Sequence, residues 1–256
     1  MNLLTEFLLR LTFGLAAGMA LVSVRQVTSG YFRNHLYLTM GLGLLSALLS
    51  RAVGSDAFWP AVAAAGLSYV GAVCWLYERA ALGKAALVLV AAAALAGALL
   101  AIGAKPASEG AAVSEGSWLP AIRAAHVVFS GGVLGVVMAS MLLGHWYLNA
   151  PGMALAPLRR LLVAAAVVVT LHAVLCATGL GLELGGRAVS TQWWLFLGLR
   201  WSFGLAGVVI LIWMAWRTLA IPNTQSATGI LYVAVIDTFV GETMSLLLSH
   251  ECVFPL

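Results

Sequence analysis

The sequence predicts an all-α integral membrane protein, a bundle of about eight transmembrane helices with short loops. Three observations predict it. Of 256 residues, 62% are hydrophobic and only 9% are charged, and the mean hydropathy of +1.02 is far too apolar for a water-soluble fold. Several apolar runs reach the roughly 20 residues that a helix needs to cross about 30 Å of hydrocarbon. Runs such as 161–169 are apolar at consecutive positions, where a transmembrane β-strand would alternate apolar with polar. One domain over 1–256 follows, because the short loops leave no room for a catalytic domain outside the membrane.

The first span, 4–24, is expected to stay in the chain as a helix. Met1–Glu6 lacks basic residues and no A-x-A-like cleavage site precedes the first loop. The second, 36–53, has the shortest apolar stretch and ends at Arg51, whose head snorkels to the interface. Spans at 58–77 and 85–104 follow. Lys105–Leu119, rich in Ala, Ser, Gly and Glu, reads as a flexible solvent loop dividing four helices from four. The remaining spans are 120–148, 161–182, 192–215 and 226–249. Small-xxx-small ridges at Gly14 and Gly18 and at Gly131, Gly135 and Ala139 allow the first and fifth helices close approaches to neighbours.

Orientation follows from Lys and Arg. Loops after odd-numbered spans hold Arg25, Arg33, Arg79, Lys84, Arg159, Arg160 and Arg217, against Arg51, Lys105, Arg187 and the borderline Arg123 on the other side. The positive-inside rule puts the richer side in the cytoplasm and both termini on the non-cytoplasmic side, as in a bacterial-type inner membrane. Trp59, Trp118, Trp193 and Trp194 at one edge and Trp146, Tyr147 and Trp216 at the other are placed as interfacial anchors. The formal charge of +4 thus reflects topology. With no dense basic stripe and no reader motif, nucleic acid is excluded as a partner. The partners expected are the lipid bilayer and other membrane or redox subunits.

The chain also echoes itself. LRLTFGLA at Leu9–Ala16 matches LRWSFGLA at Leu199–Ala206 at six of eight positions, in spans one and seven, which run in the same direction. A weak parallel repeat accounts for the match.

Ionisable residues inside apolar runs mark functional sites, because each is costly unless paired or wetted. Counting from span midpoints at about 1.5 Å per residue puts Arg10, Arg200 and Glu242 at one depth, roughly 5–7 Å outside the midplane. Glu6 and His126 lie farther out, and His172 and Asp237 lie near the middle. The expected pairs are Glu6 with Arg10, spaced i,i+4, and Arg200 with Glu242, on consecutive antiparallel helices. Thr238, Glu242, Ser245 and Ser249 share one face of the last helix. Asp237 points elsewhere, toward another neighbour or as an uncharged group.

His126 and His172 are the available pair for haem b, but the same depth count separates them by about 12 Å and argues against one shared haem. His35 and His145 are expected to be solvated at the cytoplasmic interface. His145, Trp146 and Tyr147, followed by Arg159 and Arg160, also form a candidate quinone or lipid-headgroup site, where rings stack and arginines attract phosphate. Cys74, Cys176 and Cys252 show no metal-ligand spacing. Phosphate-binding, zinc-protease and nucleophile-elbow motifs are absent, and no nucleophile is evident near the carboxylates.

The leading expectation is a membrane subunit in electron transfer that binds quinone, or else haem. His126 and His172 would supply hydrogen bonds, Arg200 an electrostatic clamp, and Glu242 or Asp237 proton exchange. The alternatives are a proton-coupled transporter of a small anion, clamped by Arg10 and Arg200, and a scaffold without ligand.

Overall fold

Helix boundaries fall where apolar runs meet capping or turn-forming residues, and a computed structural model describes them over residues 2–103, 118–150, 152–184, 190–221, 223–249, 252, 254 and 256. The elements are α1 (Asn2–Leu21), α2 (Ser29–Val53), α3 (Phe58–Leu76), α4 (Ala80–Gly103), α5 (Leu119–Asn149) and α6 (Ala156–Glu183). The seventh span is one continuous rod made of α7 (Thr191–Leu199), a π-helical stretch (Arg200–Gly207) and α8 (Val208–Thr218). The last span is α9 (Thr224–Leu248). Eight helices are long and apolar enough to cross a membrane, and no strand occurs among the described residues. The chain is a multi-pass α-helical membrane protein. The loop expected at 105–119 falls mostly outside the described residues.

Local chemistry sets the ends. Gly54 closes α2 in the left-handed conformation (φ 65°), its N–H reaching the carbonyls of the last turn. Ser190 and Asn223 cap α7 and α9 by accepting from the N–H of Trp193 (3.1 Å) and Ser226 (2.9 Å). Pro120 and Pro157 stand in the first turns of α5 and α6, where a missing N–H does no harm.

Three helices start earlier than hydropathy alone predicts. α2 gains a first turn because Tyr31 and Phe32 are core residues: the Tyr31 hydroxyl donates to the Ala139 carbonyl (3.2 Å), and Phe32 stacks on Trp75 with ring centroids 4.2 Å apart. His35 is therefore buried, its Nδ1 2.6 Å from the Tyr31 carbonyl, and not solvated as expected. α4 takes in Lys84, which donates to the carbonyls of Ala20 and, at 2.7 Å, Val22, so this lysine ties α4 to the end of α1. α6 begins at Ala156 and carries Arg159 and Arg160 in its first turns.

α1 and α5 are the most enclosed spans. They cross at the small-residue ridges: a Cβ on Gly14 would lie 1.7 Å from the Gly131 carbonyl oxygen, and one on Gly135 would lie 1.7 Å from the Gly14 carbonyl carbon. Backbone touches backbone there, which only glycine permits. A second crossing of this kind joins the π-helical stretch to α9 at Gly204 and Gly241. Both crossings lie one turn from a buried arginine, Arg10 or Arg200, so the LRxxFGLA echo marks two equivalent structural positions.

Candidate functional site

The centre of the bundle, in the half that carries the termini, is a closed network of charges. Arg10 on α1 lies 3.5 Å from Glu6 one turn earlier and 2.7 Å from Oε1 of Glu242 on α9. Arg200, on the π-helical stretch, approaches Oε2 of the same carboxylate at 3.7 Å. Ser130 on α5 donates to Oε1 of Glu242 and accepts from Arg10 at 3.1 Å. All five side chains are buried. The expected Arg200–Glu242 pair thus forms, but the shorter contact belongs to Arg10. Two acids face two arginines, and this balance is what makes burial of four charges tolerable. The Nε atoms of both arginines nevertheless have no acceptor among the described residues, so the network offers two more hydrogen bonds than its own groups take up.

The histidines depart from expectation. His126 on α5 and His172 on α6 are not 12 Å apart in depth: their rings meet edge to face with centroids 5.0 Å apart. The depth count fails because α5 and α6, with 31 and 28 residues, exceed the roughly 20 needed to cross, and long helices tilt. The earlier start of α6 also moves its midpoint. His172 is fully buried, with Nε2 3.0 Å from Nη2 of Arg200, and the same Nη2 lies 3.8 Å from Sγ of Cys176, one turn along α6. His126 lies 3.3 Å from Oγ of Ser245 on α9.

A haem b shared by His126 and His172 does not fit this arrangement. Its plane would have to pass between the two imidazoles, and rings inclined at 62° in edge contact leave no slot. The donor set that forms instead is His126, His172 and Cys176, whose ligand atoms lie within 4.8 Å of one another.

Asp237 is set apart from the network. Half-buried on α9, it forms no hydrogen bond or ion pair among the described residues and lies against the π-helical stretch, where a Cβ on Gly207 would meet its Oδ2 at 2.6 Å. On the same helix Thr238, Glu242 and Ser245 are buried along one face as expected, whereas Ser249, just past the end of α9, is half-buried and donates to the Leu246 carbonyl (2.8 Å).

At the opposite end of the bundle, His145 is exposed and pairs with the Tyr232 hydroxyl (3.1 Å). Trp146 donates to Thr28 (3.0 Å), and the buried Tyr147 donates to the Ala154 carbonyl (2.5 Å). Arg159 donates to the Leu219 carbonyl (2.9 Å), which ties α6 to the end of the seventh span. These contacts join the candidate headgroup residues to their own chain, and His145, Arg159 and Arg160 are the exposed members. Trp193, expected as an interfacial anchor, is buried with its indole N–H on Sγ of Cys252 (3.1 Å), whereas Trp59, Trp118 and Trp194 are exposed.

Reading by sequence overlooked Ser130 and Cys176 as site residues, and placed Ser245 on the Glu242 face without a partner. A signal existed for the two overlooked: Ser130 follows His126 by four positions and Cys176 follows His172 by four, so each shares a helix face with its histidine. No protein-family model, curated protein or solved structure matches the chain.

Proposed function

We propose that the chain is a quinone-binding membrane subunit of an electron-transfer system. The observation that carries this reading is an apolar groove of about 510 Å³ on the lipid-facing surface between α6 and α8, lined by Leu162, Ala166, Leu171, Val209, Trp213 and Trp216. The groove follows α6 from Leu162 to Leu171, roughly 14 Å at 1.5 Å per residue, and so ends in the turn that carries His172. An apolar channel of that length suits an isoprenoid tail, with polar groups grouped at one end. One position past that end, on the inner face of α6, lie the buried imidazole of His172 and the guanidinium of Arg200, which has a spare N–H; a quinone carbonyl would reach them by parting α6 from the seventh span.

Reduction of a quinone to a quinol takes up two electrons and two protons. The electrons come from a partner redox subunit in the same membrane. Glu242, held between two arginines, and Asp237 are the carboxylates available to pass protons toward the headgroup. The orientation proposed is that of a bacterial-type inner membrane with both termini on the non-cytoplasmic side, in keeping with the distribution of Lys and Arg.

The test is solvent extraction of the detergent-purified protein followed by chromatography. The expected result is about one quinone per chain, falling several-fold in Ala166→Trp, which fills an exposed part of the groove without touching the buried network. Absence of quinone from the wild type, or equal retention by this variant, overturns the reading.

One observation favours a second reading, proton-coupled transport of a small anion. Arg10 and Arg200 converge on a single carboxylate, so protonation of Glu242 would release two guanidiniums toward an anion. Proteoliposomes carrying an anion gradient would then change internal pH, and Glu242→Gln would abolish that coupling.

A further inference from the structure

We propose that His126, His172 and Cys176 form a binding site for one soft monovalent metal ion, Cu(I), within the membrane-spanning bundle. The site shares His172 and Arg200 with the quinone reading but needs no bound quinone, and the donor set that carries it is a separate observation.

The donors come from two helices. His172 and Cys176 are four residues apart on α6 and share a face, while His126 reaches them from α5. All three are buried, and their ligand atoms lie within 4.8 Å of one another. Metal–nitrogen and metal–sulfur bonds of about 2.0–2.3 Å place donors around a common ion roughly 4 Å apart, so a shift of about 1 Å in the donors, with Arg200 displaced from between His172 and Cys176, completes a three-coordinate set. Two imidazoles and a thiolate are soft to borderline donors, the kind that selects copper over magnesium, calcium or manganese.

The tautomers agree with metal binding. Ser245 donates its hydroxyl hydrogen to the carbonyl of Leu256 (2.7 Å), so toward His126 it acts as acceptor. A neutral His126 therefore donates from Nε2 to Ser245, an outer contact of the kind that orients a ligating imidazole.

Charge selects the valence. Glu6 and Glu242 balance Arg10 and Arg200 within the network. A thiolate with Cu(I) adds no net charge to this dry interior, whereas a thiolate with a divalent ion adds an unpaired positive charge. Arg200 is the built-in competitor. Its Nη2 already sits between Nε2 of His172 and Sγ of Cys176, the place a cation bridging the two would take, and its Nη1 lies 3.7 Å from Glu242, the partner it turns to when the metal enters.

The test uses the full chain purified in detergent under anaerobic reducing conditions and titrated with Cu(I) against a chromophoric Cu(I) chelator. One Cu(I) per chain is expected. Cys176→Ser should weaken binding by at least about 100-fold, beyond the roughly 10–100-fold that follows loss of an outer partner. The double variant Cys74→Ser, Cys252→Ser should keep wild-type affinity. Should Cys176→Ser fail to fold, X-ray absorption on the loaded wild type decides: one sulfur and two imidazole nitrogens support the site, and any set without sulfur or with two sulfurs overturns it. Unchanged affinity in Cys176→Ser, or Zn(II) retained in preference to Cu(I), also overturns the proposal.

Discussion

Gly204 and Gly241 cross so closely that a Cβ on Gly241 would lie 2.1 Å from the Cα of Gly204. Gly241 immediately precedes Glu242, and Gly204 follows Arg200 by four residues, so this backbone contact sets the register at which the two charges meet. The wider π-helical turn of the seventh span lies at the same place, as π-helical insertions at functional sites often do.

Gly241→Ala must push two backbones apart. Overpacking of this kind costs about 1–3 kcal/mol. Thermal unfolding in detergent should show the loss, and the Arg200–Glu242 contact should loosen with it. Gly229→Ala, on the same helix with nothing within 4 Å of the added Cβ, is the control, expected to be neutral or slightly stabilising. Equal melting of the two variants would contradict the crossing.

Glu242→Gln removes the anion that two buried guanidiniums share. Breaking a buried pair by removing one partner costs about 3–5 kcal/mol, because the charges left behind stay unpaired. Adding Arg200→Gln should return part of that loss, because Arg10 keeps Glu6 at 3.5 Å and Arg200 is the charge left without a carboxylate. A double-mutant cycle on unfolding midpoints measures the coupling, and strict additivity of the two changes would show that the contact carries no energy.

Lys84→Met keeps the aliphatic stem and deletes the ammonium that holds the last carbonyls of α1. Hydrogen bonds from a charged donor contribute about 1.5–3 kcal/mol each when buried, and half-exposure lowers the expected loss to about 1–2 kcal/mol. Faster amide hydrogen exchange confined to the α1–α2 connection is the local signature. Exchange unchanged there would mean the lysine is not holding the turn.

Asp237→Asn should leave unfolding within about 0.5 kcal/mol of wild type, because the carboxylate has no partner to lose among the described residues. Glu242→Gln, five residues on, sets the scale for comparison. A loss of similar size at Asp237 would reveal a stabilising contact absent from the structure.

The eight spans and the polar layer were legible in the sequence because hydropathy and depth are local properties of each helix. The spacing of Gly14, Gly18, Gly131, Gly135 and Ala139 also marked ridges fit for close approach, although not that α1 and α5 meet each other there. What could not be read was lateral and angular placement. Counting residues from a span midpoint treats helices as perpendicular to the membrane and places α6 by its apolar run alone; α6 begins earlier, at Ala156, and His126 meets His172 despite the count. Arg10 outcompetes Arg200 for the near oxygen of Glu242 because α1 lies at the centre of the bundle, a fact of packing that no single span encodes. Cys176 shows no metal-ligand spacing along the chain, because its histidine neighbour His126 comes from another helix. Trp193 turned inward because residues beyond the last span, Cys252 among them, fold back over it.

The Glu6–Arg10 pair has a consequence for biogenesis. Arg10 leaves the ribosome in the first span, but its shorter contact, Glu242, follows 232 residues later. At about 5–20 residues per second that wait is on the order of 10–50 s. Through it, the arginine is held in a bilayer where insertion scales charge about 2.5–3.5 kcal/mol for it at a helix centre. Glu6, one turn away on the same helix, is the counter-ion the first span brings with it, 3.5 Å from the guanidinium in the finished protein. A nascent chain that stalls before its last helix keeps this provisional partner and lacks the final one.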